Sequence, residues 1–142
     1  MNPLSDQFSA GDFLVRNVIG ADEADGAIAV GELVRDGQVV QFHVRDAEAA
    51  DEDLRAMLDK YVEKLGDREP AGGLLFQCLG RGQLLFGAPD HDTDMFRDKV
   101  APVSIAGFFC NGEIGPVGGS TFLHGYTSSF ALFRSRDAVG AK

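Results

Sequence analysis

The sequence predicts an α+β fold in which a mixed or mainly antiparallel sheet packs against one long and one short helix. Three observations predict this class. Short runs rich in Val, Ile and Phe are separated by turn residues near the start of the chain, a segment of helical periodicity follows, and further apolar runs alternate with glycine-rich segments. The length of 142 residues suits one domain, so we expect a single unit over residues 1–142 with a frayed tail at 137–142.

The first part of the chain predicts a three-stranded antiparallel meander. An Asp-Gly pair between strand-like runs is a strong hairpin signal because both positions tolerate positive φ, and Asp36-Gly37 is such a pair. Alternation in the last run assigns Phe42 to the core face and His43 to the polar face. The predicted strands are residues 13–19, 26–34 and 39–45.

An amphipathic helix is predicted over residues 47–65, where apolar residues recur every three or four positions. Asp46 can act as its N-cap and Gly66 is a natural terminator. Its many charged residues are expected to form a solvated outer face.

The second half of the chain predicts the rest of the sheet and the short helix. A strand at 74–79 is too continuously apolar to be exposed on either side. A turn at 80–82 follows, then a helical turn at 83–87 and a short helix at 93–100, capped near Asp92. The last two strands, 104–110 and 128–134, are expected to be joined by a glycine-rich loop.

Composition and charge exclude several classes of protein. With 44% hydrophobic and 25% charged residues the chain is typical of a globular protein, and its net charge of −9 disfavours nucleic acid or an anionic membrane as a partner. The first residues lack the basic and apolar regions of a signal peptide, so a cytoplasmic location is expected. There both cysteines are expected to be reduced, without a metal site.

Glu113 is the first candidate functional residue. It is the one formal charge between residues 103 and 133, and it is flanked by apolar runs and glycines. A carboxylate in such a setting is desolvated at some cost unless something pairs with it. It can bind the ammonium group of a small ligand, or it can simply accept backbone N–H groups and hold the turn; the sequence leaves both open.

Four segments resemble the C-terminal domain of the FIST family. Residues 107–119 (GFFCNGEIGPVGG) and 122–133 (FLHGYTSSFALF) look like its C-terminal motif. Residues 73–82 (GLLFQCLGRG) are similar to its strand motif, and residues 2–4 (NPL) resemble its entry segment. The family also has a separate N-terminal domain to which nothing here corresponds, so the chain is expected to be an isolated C-terminal domain.

The resemblance implies a sensory domain for signal transduction that binds small ligands such as amino acids. The alternative that it implies is a haem-based nitric oxide sensor, with His124 or His43 as the axial ligand. Expected partners are the small ligand and the FIST N-terminal domain or signalling modules such as kinases, and a homodimer is possible. The predicted ligand-binding residues are Glu113, Asn111, Cys110, His124, Tyr126 and Arg81.

No enzymatic activity is expected. Cys110 and His124 have the chemistry of a nucleophile and its base, but Cys110 ends an apolar run in which a cysteine is usually a small buried hydrophobe. His124 can equally be a structural hydrogen-bond donor. The acids at 90, 92 and 94 resemble the start of a calcium loop, yet Met95 stands where that loop needs glycine.

Overall fold

The computed structural model describes residues 13–66, 68–117 and 119–136, so the tail expected to fray at 137–142 and the motif at 2–4 lie outside the described residues. The predicted α+β class is confirmed. The elements are β1 Val18–Asp22, β2 Ala27–Val30, α1 Ala47–Leu65, β3 Gly72–Cys78, α2 Gln83–Phe86, α3 His91–Lys99, β4 Ile105–Cys110, β5 Glu113–Val117, β6 Ser120–His124 and β7 Ser128–Phe133.

The main sheet has the order β4-β3-β7. Strand β3 pairs with β4 in parallel and with β7 in antiparallel orientation, so both of its edges are hydrogen-bonded. This central position explains its continuous apolar sequence, and Leu75 in its middle is 3% exposed. Gly107 of β4 lies opposite Leu75, and a Cβ there would sit 1.8 Å from the Leu75 carbonyl oxygen. The approach of the two strands therefore requires glycine at position 107.

Helix α1 has the bounds that the sequence predicts. It begins after Asp46, whose carboxylate accepts the backbone N–H of Ala49 at 2.8 Å. It ends at Gly66, where φ is 58° and a side chain would be strained.

The core lies between the two longer helices and the sheet. Leu54 and Leu58 of α1 pack on Met95 and Phe96 of α3, and Phe130 of β7 stacks on the Phe96 ring with centroids 5.4 Å apart. Full burial of each such side chain stabilises the fold by roughly 1.5–3 kcal/mol. The core therefore fixes α3 against the sheet, which places the first turn of α3 beside the end of β3.

The predicted meander is wrong in its third strand. Strands β1 and β2 form an antiparallel hairpin, with Val18 opposite Val30. Their bounds differ from the predicted 13–19 and 26–34, since β1 begins at Val18 and runs to Asp22, and β2 ends at Val30. Residues 39–45 have no regular secondary structure, and Val40 and Phe42 are exposed. Alternation of apolar and polar residues is a weak indicator of a strand, because a strand also needs a pairing partner. In the described part of the chain, residues 39–45 pair with no strand.

Two further predictions are corrected. The short helix α3 begins at His91 rather than at 93, with Asp90 in the left-handed region at its N-cap, so Asp92 is a buried helical residue and not the cap. The glycine-rich segment after β4 is a β5-β6 hairpin, not a loop. Glycine and proline lower the local strand propensity there, but pairing across the hairpin overrides it.

Candidate functional site

Glu113 is the first residue of β5 and is 1% exposed. Its Oε2 accepts the hydroxyl of Thr127 at 2.9 Å and the Thr127 backbone N–H at 3.2 Å. Its Oε1 accepts the Cys110 thiol at 3.5 Å. The two oxygens are thus held by neutral donors from the ends of β4 and β7, and the carboxylate ties these ends together.

Cys110 is half-buried at the end of β4. Its thiol also lies 3.4 Å from the Gln77 carbonyl oxygen. Burial, followed by the hydrogen bond to Glu113 and the negative charge of Glu113, raises the pKa of the Cys110 thiol. The thiol form therefore predominates near neutral pH, which disfavours Cys110 as a nucleophile.

Arg81 lies in the turn after β3 and is 8% exposed. Its Nε lies 2.6 Å from Asp92 Oδ2 and its Nη2 lies 3.0 Å from Asp92 Oδ1, which is a bidentate ion pair. The guanidinium is also 5.2 Å from the centre of the Phe86 ring. The predicted ligand partner Arg81 is thus bound to a carboxylate of the protein itself.

Asp92 is the centre of a buried polar cluster that the sequence pattern does not predict. Besides Arg81, its carboxylate accepts the Gln77 side-chain amide at 2.9 Å and the Ser128 hydroxyl. Burial raises the pKa of Asp92, but the hydrogen bonds and charge of Arg81, with help from Ser128 and His91, outweigh burial and lower it from 3.8 to about 2. The carboxylate is therefore ionised throughout the physiological range.

His91 extends this cluster to α1. Its Nδ1 lies 2.9 Å from Asp92 Oδ1 and its Nε2 lies 2.9 Å from Asp51 Oδ1. Its ring stacks on Phe86 with centroids 3.6 Å apart. The cluster joins α1, α3, β3 and β7 through charged and polar contacts. Two sequence features could have indicated the cluster. Gln77 is a polar residue in the buried apolar strand β3, and Arg81 lies between two glycines just after that strand.

The remaining predicted site residues lie near Glu113 but serve other contacts. His124 is paired with Glu113 across the β5-β6 hairpin, and its Nε2 lies 2.9 Å from the Gly115 carbonyl oxygen. Asn111 is exposed at the bend between β4 and β5. Tyr126 adopts a left-handed conformation with φ of 66° and donates its hydroxyl to the Asn17 side chain. The structure thus brings Glu113, Cys110, Asn111 and His124 to one end of the sheet, and Arg81 to the separate cluster around Asp92.

A cavity of about 220 Å³ lies elsewhere, in the segment 13–43. Its lining is mostly apolar, with a few polar side chains. Among these, Arg16 Nε lies 2.9 Å from Glu32 Oε2, and Arg16 Nη1 donates to the Val15 carbonyl at 2.9 Å. The hydrogen bond and charge of Arg16 lower the pKa of Glu32. The lining comprises Phe13, Leu14, Val15, Arg16, Val18, Val30, Glu32, Val34, Gln38, Val39, Val40, Gln41, Phe42 and His43.

The cavity is not evident from the sequence, because the pattern of residues 13–45 predicts a three-stranded meander. His43, expected on the polar face, lines the cavity instead, and its ring packs edge-on against Phe13 with centroids 5.2 Å apart. Residues 39–45 form no strand, so the alternation of apolar and polar residues there does not assign side chains to a core face and a solvent face. The one sequence feature that could have indicated a binding site in this segment is the charged residue Arg16 within the apolar run at 13–19.

The profile of the FIST C domain family matches residues 2–116. Since this is most of the chain, the chain belongs to the FIST C domain family, as the sequence motifs predict. The family is generally associated with sensory roles in signal transduction. The matched range includes the cavity, Arg81, Asp92 and Glu113. It ends before β6, so Ser128 of the Asp92 cluster and the motif at 122–133 lie outside it.

The curated relatives are longer proteins. An uncharacterised protein of Mycobacterium tuberculosis strain H37Rv is 52% identical over 123 residues, which is 87% of this chain and 32% of that protein. An uncharacterised protein of Mycobacterium bovis is 46% identical over the same shares. An F-box/LRR-repeat protein of Arabidopsis thaliana is 31% identical over 130 residues, which is 81% of this chain and 24% of that protein. The chain thus spans about a third of the length of the mycobacterial relatives.

No solved structure gives a significant match to the chain. Among the described residues, no helix is both long and apolar enough to cross a lipid bilayer.

Proposed function

We propose that the chain is a sensory domain that binds a small ligand, and that the ligand is an amino acid with an apolar side chain. The observation that carries the proposal is the cavity of about 220 Å³ in segment 13–43, which combines apolar walls with one cationic and one anionic side chain. Binding sites for small molecules typically have this composition, with a few polar groups that orient the ligand.

Arg16 and Glu32 supply the charges that a free amino acid requires. The guanidinium is suited to the ligand carboxylate and the Glu32 carboxylate to its ammonium group. Their own ion pair leaves the Glu32 side chain 52% exposed, and exposed ion pairs contribute little to stability because water and salt screen them. A ligand that inserts between them therefore displaces a weak contact and gains two.

The size of the cavity limits the ligand. A protein cavity of about 150 Å³ can hold a benzene molecule. A cavity of about 220 Å³ suits a side chain up to the size of an aromatic ring, packed against Val18, Val30 and Phe42.

The residues predicted from the sequence form the competing site, around Glu113. This carboxylate already accepts three hydrogen bonds from Thr127 and Cys110 and is 1% exposed, so an ammonium group must displace internal partners. Arg81 is likewise held by Asp92. The cavity supports ligand binding more directly, and Glu113 as the ligand anchor stays a prediction.

A thermal-shift screen of the purified chain against the amino acids tests the proposal. Leucine, valine or phenylalanine is expected to raise Tm, since a ligand at a hundred times its Kd stabilises by about 2.7 kcal/mol. Arg16→Gln should abolish the shift. Arg55→Gln, which changes an exposed arginine on α1, is the matched control and should keep it.

The same screen separates the two sites. If Glu113→Gln removes the shift while Arg16→Gln keeps it, the ligand binds near Glu113 and the cavity is not the site. If no amino acid changes Tm of the wild-type chain, the proposed ligand class is wrong.

The haem alternative has less support from the described residues than the amino-acid proposal. His124 Nε2 is engaged by the Gly115 carbonyl, and the cavity beside His43 is smaller than the roughly 300 Å³ at which pockets for drug-sized ligands begin. A visible spectrum after haem addition tests it: a Soret band lost in His124→Ala or His43→Ala would contradict this assessment.

We further propose that the domain has no enzymatic activity of its own and that it is cytoplasmic. Because the chain spans about a third of its mycobacterial relatives, its proposed partners are the FIST N-terminal domain or signalling modules such as kinases, which would respond to the bound ligand.

A further inference from the structure

The two cysteines of the chain are register partners. Cys78 is the last residue of β3, Cys110 is the last residue of β4, and the parallel pairing places them directly opposite each other. Both are free thiols. Nothing in the ligand-binding proposal uses this pair.

Their placement satisfies the main geometric requirement of a disulfide. Neighbouring strands lie about 4.8 Å apart, and a disulfide needs a Cα separation of about 4.4–6.8 Å. Side chains of directly paired residues in a parallel sheet point to the same face. Both residues end their strands, so a bond between their side chains would need no change in the interior of the β3-β4 ladder.

We propose that Cys78 and Cys110 form a reversible intramolecular disulfide when the domain meets a peroxide, and that this pair is a redox-sensitive modification site. The half-buried Cys110 is the first thiol to react, because Cys78 is only 8% exposed, and the small thiolate fraction of Cys110 near neutral pH makes this reaction slow there. Thiol–disulfide exchange with a reducing agent would return both cysteines to thiols, so the modification is reversible.

The chemistry proceeds in two balanced steps with hydrogen peroxide as the oxidant. The Cys110 sulfur attacks one peroxide oxygen, the O–O bond breaks, and a sulfenic acid and one water form. The Cys78 sulfur then attacks the Cys110 sulfur, the S–O bond breaks and a second water leaves. The two thiols lose two electrons and two protons, and one peroxide becomes two waters.

Oxidation changes the contacts of Glu113. The Cys110 thiol donates to Glu113 Oε1, and a disulfide sulfur has no proton to donate. Glu113 is then held by Thr127 alone among these donors, which loosens the link between the ends of β4 and β7. The pair thereby couples the redox state to the base of the β5-β6 hairpin.

Treatment of the purified full chain with hydrogen peroxide, followed by intact mass and peptide mapping, tests the proposal. The wild-type chain should lose the mass of two hydrogens, with the Cys78 and Cys110 peptides linked, and dithiothreitol should reverse this. The rate should rise with pH, because the Cys110 pKa is raised and more thiolate forms as pH increases.

Two matched variants complete the design. Cys78→Ser should stop at a Cys110 sulfenic acid that dimedone traps, and Cys110→Ser should react more slowly than wild type. The proposal is overturned if wild type accumulates the same sulfenic or sulfinic products as Cys78→Ser, or if disulfides form only between chains. Neither result depends on a bound amino acid. Failure of the disulfide proposal would therefore leave the ligand-binding proposal unaffected, and the reverse also holds.

Discussion

Asp92 and Glu113 are both carboxylates with 1% exposure, but they are stabilised in different ways. Asp92 forms a bidentate ion pair with Arg81 and accepts further hydrogen bonds from Gln77 and Ser128. Glu113 accepts hydrogen bonds from the neutral groups of Thr127 and Cys110. The first region joins helices to the sheet by charge, and the second joins strand ends by neutral donors.

The difference shows what removal of each acid leaves behind. Without Asp92, a buried guanidinium loses its counterion, and an uncompensated buried charge is strongly destabilising. Without Glu113, only neutral donors remain, and each can find water or another acceptor at a smaller cost. The Asp92 cluster is therefore expected to dominate stability, although Glu113 is the more conspicuous residue in the sequence.

The largest expected effect is that of Asp92→Ala. It should lower the free energy of unfolding by about 3–5 kcal/mol, because it leaves Arg81 buried without its partner. Urea denaturation measures this. Asp94→Ala is the control on the same helix; its side chain is 62% exposed and pairs with Arg97 at 3.5 Å, so the change should stay within about 0.5 kcal/mol. Equal losses in both variants would contradict the comparison.

Glu113→Gln should have a smaller effect, a loss of about 2 kcal/mol. The substituted amide keeps the shape but directs an N–H₂ group at donors, so one hydrogen bond becomes a donor-donor contact. Thr127→Ser keeps the hydroxyl and should preserve most of the stability. A loss for Glu113→Gln as large as that for Asp92→Ala would mean that the charge of Glu113, not its hydrogen bonds, is what matters.

Acid should weaken the Asp92 cluster in a defined range of pH. The pKa of Asp92 is lowered from 3.8 to about 2, so its contribution to stability is present above about pH 4 and is lost as pH falls toward about 2. The contribution is about 2 kcal/mol. Urea denaturation of the wild type should show this decrease in the free energy of unfolding between about pH 4 and pH 2. In Asp92→Asn the decrease over the same range should be smaller by the contribution of Asp92. An identical pH dependence in both proteins would refute the assignment.

Tyr126→Phe should have the smallest effect. It removes the hydroxyl donated to Asn17 but keeps the ring, over which the Arg45 guanidinium lies at 5.0 Å. A half-exposed neutral hydrogen bond contributes about 0.5–1 kcal/mol. Urea denaturation should detect the loss. In the double variant Tyr126→Phe/Glu113→Gln, the loss in the free energy of unfolding should equal the sum of the two single losses. A clear departure from this sum would show that the Glu113 turn depends on the N-terminal segment.

Local signals made the helix and the strands of the main sheet predictable. Asp46 and Gly66 set the bounds of α1 within the sequence itself, and the apolar run of β3 identified the central strand. Glu113 was likewise found as a buried acid, because its surroundings in the sequence are apolar.

The contacts between distant segments were not predictable. Arg81 and Asp92 are eleven residues apart, and Asp92 also matched the pattern of a helix cap, so nothing local identified the pair. The order β4-β3-β7 and the register of Cys78 with Cys110 depend on which edges meet in the fold. The cavity was missed because the pattern of residues 39–45 predicts a strand that has no partner.

The left-handed Tyr126 has a dynamic consequence. Its hydroxyl and ring contact Asn17 and Arg45, which lie at the two ends of the segment that bears the cavity. A segment anchored by exposed contacts of this kind opens as its own cooperative unit, at a lower free energy than the core beneath α1. Amide hydrogen exchange should therefore be faster for Gly31, bonded to the Asn17 carbonyl, than for Leu58, and an occupied cavity should slow Gly31 alone.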